Sequence, residues 1–291
     1  VKNDPAEDIV RNEQRRERMV NLSLTAWDLQ RTRRGRSQDE RTRLMVLKTH
    51  ERLRQLAETE LGVPKHQRSF LKVGADRAPG VLLVHGADQG PANLVPLART
   101  LHEAGLTVHG LLLADYGHGV TDRPEARWRA SLQQVRLGYR LLADTCRRVF
   151  VVGVGFGATL SLHLAAREPV AGLVLVAPAL VPRVGPGVRI LRALRLLRLS
   201  PVRRRLGMLV DASEGMLYAQ DLAAKVKVPI FGVQCDDDDQ VSPQSLRLLQ
   251  KRAHHSQSRF QAFPTGGHDV LAAHGSAGLE RDILAFIRDI V

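Results

Sequence analysis

Five short apolar runs, separated by amphipathic stretches, constrain the fold of this 291-residue chain more than any other feature. They lie at 81–85, 107–113, 149–153, 172–176 and 229–234, with a shorter sixth at 259–263. Most are apolar at consecutive positions rather than alternate ones. Strands that read this way are buried on both faces, the condition of a parallel sheet. Between and after them, 92–104, 127–143, 156–166, 243–251 and 277–290 show helical spacing. Strand and helix in alternation predict an α/β fold, a mostly parallel sheet with helices on both faces. The length suits one large α/β domain with an accessory segment.

Two intervals break the rhythm. Residues 1–64 are charge-dense and helical in pattern, and are read as an N-terminal helical extension; the main domain is placed at 65–291. Ser37-Gln38-Asp39-Glu40 has the form of a capping box, opening a helix that ends near Gly62 and Pro64. An earlier helix is expected to carry Met19, Leu22, Leu24, Trp27 and Leu29. The second interval, about 178–227, holds no core strand and is too long for an ordinary connection, so it predicts a short helical cap. Within it Arg189, Arg192, Arg195 and Arg198 alternate with leucines, and Arg203, Arg204 and Arg205 follow. The run from Arg189 to Arg205 is read first as a solvated face. Its sharper reading is a basic lid that meets an anionic membrane surface or a ligand carboxylate.

The net charge of +13 raises the question of nucleic acid, but aromatics are only 4% and no basic-aromatic interleaving accompanies the charge, so no nucleic-acid partner is expected. The longest apolar run, 170–181, is too short to span a bilayer and contains Gly172 and Pro178. No charged-then-apolar leader opens the chain. Cys146 and Cys235 form no spacing motif, which points to a reducing compartment; the expectation is cytoplasmic, or membrane-peripheral through the cap. Neither metal nor cofactor is expected.

Four strand ends carry chemistry. Val151-Val-Gly153-Val-Gly155-Phe156-Gly157-Ala158 joins a buried strand to a helix in the form G-x-S-x-G, with Gly155 at the middle position. The same residues also fit G-x-G-x-x-A, a dinucleotide fingerprint. That fingerprint requires a carboxylate at the end of the next strand, and this one ends Ala177-Pro178-Ala179. The first strand ends His85-Gly86-Ala87. Cys235-Asp-Asp-Asp238-Asp-Gln-Val241-Ser-Pro243 forms an acidic turn, in which the spacing to Val241 and Pro243 singles out Asp238. Gly267-His268 follows the last strand. His118, in Tyr116-Gly-His-Gly119, is read as structural, His254 and His255 as exposed, and His274 as a weaker candidate than His268.

In this order the motifs resemble the α/β-hydrolase superfamily over roughly 67–291, with carboxylesterases and monoacylglycerol lipases the nearest pattern. The resemblance implies carboxylic-ester hydrolase ancestry and a small ester or acyl ligand. It further implies Asp238 and His268 as the acid and base of a triad, and backbone N–H groups of Ala87 and Phe156 as the oxyanion hole. Gly155 then stands at the nucleophile position without a hydroxyl, and neither Thr159 nor Ser161 can reach that turn. Ordinary serine-esterase turnover is therefore expected to be small or absent. Three readings stay open: a ligand- or partner-binding relative, an Asp238–His268 general-base enzyme using water, and an engineered serine-to-glycine form of an active esterase.

Overall fold

The computed structural model describes residues 40–87, 89–113, 128–181 and 200–291, without the side chains of 200–211, 276 and 277. Residues 37–39 of the capping box, the helix expected around Trp27, His118, and Arg189–Arg198 of the basic run lie outside the described residues, as do the side chains of Arg203–Arg205.

Seven strands form one sheet: β1 (Phe70–Lys72), β2 (Gly80–Val84), β3 (Thr107–Leu111), β4 (Val149–Val154), β5 (Gly172–Val176), β6 (Ile230–Cys235) and β7 (Arg259–Phe263). Their spatial order is β1-β3-β2-β4-β5-β6-β7. Only β1 runs antiparallel, pairing Phe70 with Gly110; the other neighbours are parallel. Strands β2 to β6 are buried along their whole length; β2, β4 and β5 are apolar or glycine throughout, while Thr107 and His109 of β3 and Gln234 of β6 are buried polar residues. Strand β7 is only half-buried, as an edge strand. Strand β1 was not read from the sequence: three residues give no periodicity, and its order comes from the edge of β3.

Consecutive residues of each strand feed opposite layers. Leu82, Val84, Val149, Val151, Leu173 and Leu175 face one core, packed by α3 (Trp128–Thr145), α4 (Phe156–Ala165) and α6 (Gln244–Arg252). Val81, Leu83, Phe150, Val152, Val174 and Val176 face the other, packed by α2 (Val95–Glu103) and α8 (Glu280–Ile290). In the interval read as a cap, α5 (Ser200–Ala223) is a 24-residue helix, and no strand occurs among its described residues. Its Gly215 sits where a Cβ would lie 3.2 Å from the Trp128 ring and 3.5 Å from that of Phe156. No described helix is long and apolar enough to cross a membrane.

The helix expected before Gly62 is α1 (Glu40–Glu60). Its buried stripe is Arg43, Leu47, His50, Arg54, Ala57 and Glu58, a spacing of three and four that is helical but largely polar. Arg43, Arg54 and Glu58 compensate for burial with hydrogen bonds into the sheet domain, whereas His50 Nε2 has no hydrogen-bond partner among the described residues. Arg43 donates to the Thr145 carbonyl (2.8 Å) and to Thr107 Oγ1 (3.2 Å). Arg54 donates to Ser69 Oγ (3.0 Å) and the Leu112 carbonyl (3.2 Å). Glu58 accepts from the Ser69 amide (2.8 Å) and hydroxyl (2.5 Å). Helix α1 is thus joined to β1 and β3 by buried polar contacts.

Candidate functional site

The chain leaves β2 toward β3 on one side of the sheet and leaves β4 toward β5 on the other. The connections therefore diverge between adjacent β2 and β4, and their carboxyl ends open the crevice where ligands of such sheets bind. His85, Gly86 and Ala87 follow β2 at this point; Gly155 and Phe156 follow β4.

Gly155 has φ 54° and ψ −118°, a conformation that L side chains rarely adopt. Three backbone bonds pin it. Its N–H donates to the Val176 carbonyl (2.9 Å), and its own carbonyl accepts from the amides of Ala158 (3.2 Å) and Ala179 (3.1 Å). The flanking glycines answer a different need. A Cβ on Gly157 would stand 2.2 Å from the Val84 carbonyl oxygen, and one on Gly153 would stand 2.5 Å from Ser161 Oγ. Only glycine lets α4 sit this close to β2 and β4. A Cβ on Gly155 would meet His268 Nε2 at 3.2 Å and Gly86 Cα at 3.6 Å.

His268 is thus brought to Gly155 from the loop after β7. Its Nδ1 lies 3.0 Å from Asp238 Oδ2 and 3.2 Å from Oδ1. Asp238, fully buried after β6, also accepts from the amides of Val241 (2.8 Å) and Gln240 (3.0 Å). Burial by itself would raise the Asp238 carboxyl. The His268 hydrogen bond and the two amides outweigh it and hold the group below the ordinary carboxylate value. An ionised Asp238 accepts a proton-bearing Nδ1, which leaves Nε2 as the basic nitrogen, directed at Gly155.

His85 is buried at the end of β2. Its Nε2 accepts from the Leu113 amide (3.0 Å), so Nδ1 carries the proton and donates to the Gly86 carbonyl (2.7 Å). That bond fixes the peptide unit whose N–H belongs to Ala87. Phe156 is the first residue of α4, where amides point out of the helix end with the positive end of its dipole. Ala87 and Phe156 therefore flank the same turn.

The hydroxyls of the nearest alternatives are turned elsewhere. Thr159 donates to the Ala179 carbonyl (2.5 Å), Ser161 to the Gly157 carbonyl (2.8 Å). His274 stacks on Phe263 at 3.9 Å and bonds the Thr265 carbonyl (2.7 Å). His254 is exposed and His255 half-buried, both beyond the end of α6. Sequence reasoning missed Asp237, which accepts from the amides of Gly266 (3.2 Å) and Gly267 (2.8 Å). The adjacent glycines before His268 were the signal that could have found it, since such a pair presents consecutive N–H groups.

Comparison with known proteins gives a consistent picture. The model of a family described as the alpha/beta hydrolase family matches residues 81–266. A thermostable monoacylglycerol lipase of Bacillus sp. (strain H-257) is 34% identical over 117 residues, covering 39% of this chain and 47% of that protein. The match thus spans about half the length of that relative. Among solved structures, one from work on LipS and LipT, two metagenome-derived lipolytic enzymes, superposes with TM-score 0.66 at 21% identity, over 77% of this chain and 98% of that one. A monoacylglycerol lipase of Paleococcus ferrophilus gives 0.63 at 17% identity, with the same coverage.

Proposed function

Since this chain belongs to the alpha/beta hydrolase family, we propose that its site is a carboxylic-ester hydrolase site of the lipase and esterase type in which His268 acts on water. The observation that carries the reading is the placement of His268 Nε2 at 3.2 Å from the position of a Cβ on Gly155, while Nδ1 is held by Asp238. Gly155 occupies the place of the nucleophile, and having no oxygen it forms no acyl-enzyme. Thr159 and Ser161, both bonded to carbonyls, do not replace it.

In the proposed reaction a water stands between His268 Nε2 and the ester carbonyl carbon. Nε2 takes a proton as the oxygen attacks, and Asp238 stabilises the imidazolium that forms. The amides of Ala87 and Phe156 receive the charge on the carbonyl oxygen. When the tetrahedral species collapses, the alcohol oxygen leaves with the proton from His268. One water is consumed, and one acid and one alcohol are released. The monoacylglycerol lipase relative favours a small acyl ester as ligand.

In a serine hydrolase such as subtilisin, loss of the nucleophile costs on the order of 10⁶ in turnover, while the oxyanion hole and binding retain roughly 10³–10⁴ over water. Slow hydrolysis is therefore expected from the chain as it stands, and His268→Ala should reduce it to the part that the oxyanion amides and binding alone supply. Gly155→Ser should raise it by orders of magnitude. The measurement is hydrolysis of short- and medium-chain acyl esters by all three forms. Activity in the serine form alone makes the glycine form a binding protein on a hydrolase scaffold. No hydrolysis by a folded serine form refutes the ester-hydrolase reading altogether.

A further inference from the structure

We propose that Asp237 is a positioning residue for His268: its carboxylate holds the loop that presents the imidazole to Gly155. The inference rests on the hydrolase reading above, since it assigns a purpose to the orientation of that ring.

His268 is carried by residues 264–269, between β7 and α7 (Val270–His274), with no strand or helix of their own. Gly266 has φ 137° and Gly267 φ 66°, both in the left-handed half of backbone space. Two successive glycines there are the most freely rotating backbone a chain can offer, directly before the residue whose direction matters. Asp237 removes that freedom. Its Oδ1 accepts the Gly267 amide at 2.8 Å and its Oδ2 the Gly266 amide at 3.2 Å. One charged carboxylate thus grips two consecutive amides.

The remaining ties act elsewhere on the loop. Cys235 Sγ (3.4 Å) and His274 Nε2 (2.7 Å) both reach the Thr265 carbonyl, and Asp238 takes the ring itself. Neighbouring side chains of one acidic turn therefore divide the work: Asp237 binds the backbone before His268, and Asp238 binds its Nδ1. Close packing fixes the path between them, since a Cβ on Gly266 would lie 2.6 Å from His274 Nε2 and 2.8 Å from Cys235 Sγ. Asp237 is exposed, as are Asp236 and Asp239, so its contribution is a tether rather than core packing. Of these three exposed aspartates it alone is hydrogen-bonded to the histidine loop.

The test reads the His268–Asp238 bond directly. In the full chain, the hydrogen-bonded Nδ1 proton of His268 should give a downfield proton resonance, assigned by its loss in His268→Ala. Asp237→Ala should broaden or remove it while the circular dichroism spectrum stays native. Ester hydrolysis should fall by up to about 100-fold, the scale of a misplacement near 1 Å, in kcat more than in KM. Asp237→Asn keeps one acceptor and should lie between the two forms, which preserves the test if the alanine form does not fold. An unchanged resonance in both variants overturns the positioning role and leaves the dyad intact. Absence of the resonance from the unmodified chain overturns the dyad itself, and this inference with it.

Discussion

Glu58→Gln should destabilise the chain far more than a charge change on a helix usually does. Glu58 and Arg54 are both buried, with the Arg54 Nε 3.3 Å from Glu58 Oε1. Burial pushes the Arg54 guanidinium down from its ordinary value, and the Glu58 charge and hydrogen bond oppose that shift. Removing one partner of such a pair leaves a buried charge uncompensated, at about 3–5 kcal/mol. Arg54 keeps its bonds to Ser69 Oγ and the Leu112 carbonyl, so the lower end, about 3 kcal/mol, applies. For a chain of 291 residues that is roughly 5 °C in Tm. Arg54→Met combined with Glu58→Gln removes the stranded charge while glutamine still accepts from the Ser69 amide. The double variant should be more stable than Glu58→Gln alone, a coupling that urea titration measures directly. Equal stability of Glu58→Gln and the unmodified chain, or simple additivity in the double variant, would refute the argument.

Acid should destabilise the chain from near neutrality. Burial, and next the Arg54 charge, lower the His109 pKa to about 3 against the opposing Phe70 carbonyl bond. The unfolded state therefore takes the proton first, and stability is lost as pH falls from about 6.5 toward 3, by up to about 1.4 kcal/mol per unit. His109→Phe should flatten the profile in urea titrations at pH 4 to 7; the slope that remains belongs in part to His50, lowered well below its ordinary value by burial and by His109 and Arg54, and in part to His163, lowered by burial. Asp238 adds the carboxylate case: its depressed value stabilises the fold above the ordinary carboxylate pKa, and that contribution is lost as pH falls through the depressed value. Gly157→Ala should lower stability by about 1–3 kcal/mol or more through overpacking against the Val84 carbonyl, whereas Gly62→Ala meets no atom within 4 Å and should show only the smaller cost of its φ of 73°; equal thermal shifts would contradict this.

The sheet was legible because parallel strands buried on both faces are mostly apolar, and β5 falls at the position expected, 172–176, as does the half-buried edge strand β7 at 259–263. Ends of elements moved where caps intervene: the closing helix, read from 277, starts at Glu280 after a wide turn at Gly275–Leu279 in which Gly278 has φ 135°. The approach of His268 to Asp238 was legible as spacing from Val241 and as Gly-His after the last strand. The tether at Asp237 was not, because four adjacent aspartates look alike until the fold shows which faces the loop. Helix α1 is the clearest case of tertiary structure overriding pattern. In the sequence Arg43, Arg54 and Glu58 belong to a charge-dense helical stretch, and only the carbonyls and hydroxyls of Thr145, Thr107, Ser69 and Leu112 explain their burial.

The three glycines at the junction of β4 and α4 allow strain to be separated from chemistry. Gly153 and Gly157 are required by atoms 2.2–2.5 Å from any Cβ. At Gly155 the demand is mainly one of backbone angle, since its nearest neighbour would be His268 Nε2 at 3.2 Å, an imidazole that needs to yield by only a few tenths of an ångström. The angle itself is held by bonds to Val176, Ala158 and Ala179, so a side chain there should be borne at about 1–3 kcal/mol. Alanine and serine bring the same Cβ and the same strain. Gly155→Ala and Gly155→Ser should therefore lose stability alike, within about 0.5 kcal/mol, yet differ in hydrolysis by orders of magnitude, because only serine adds an oxygen beside Nε2. Water-dependent turnover should fall in the alanine form, whose methyl group displaces the water from His268. An alanine form that hydrolyses esters as fast as the glycine form would show that the reacting water does not sit at this turn.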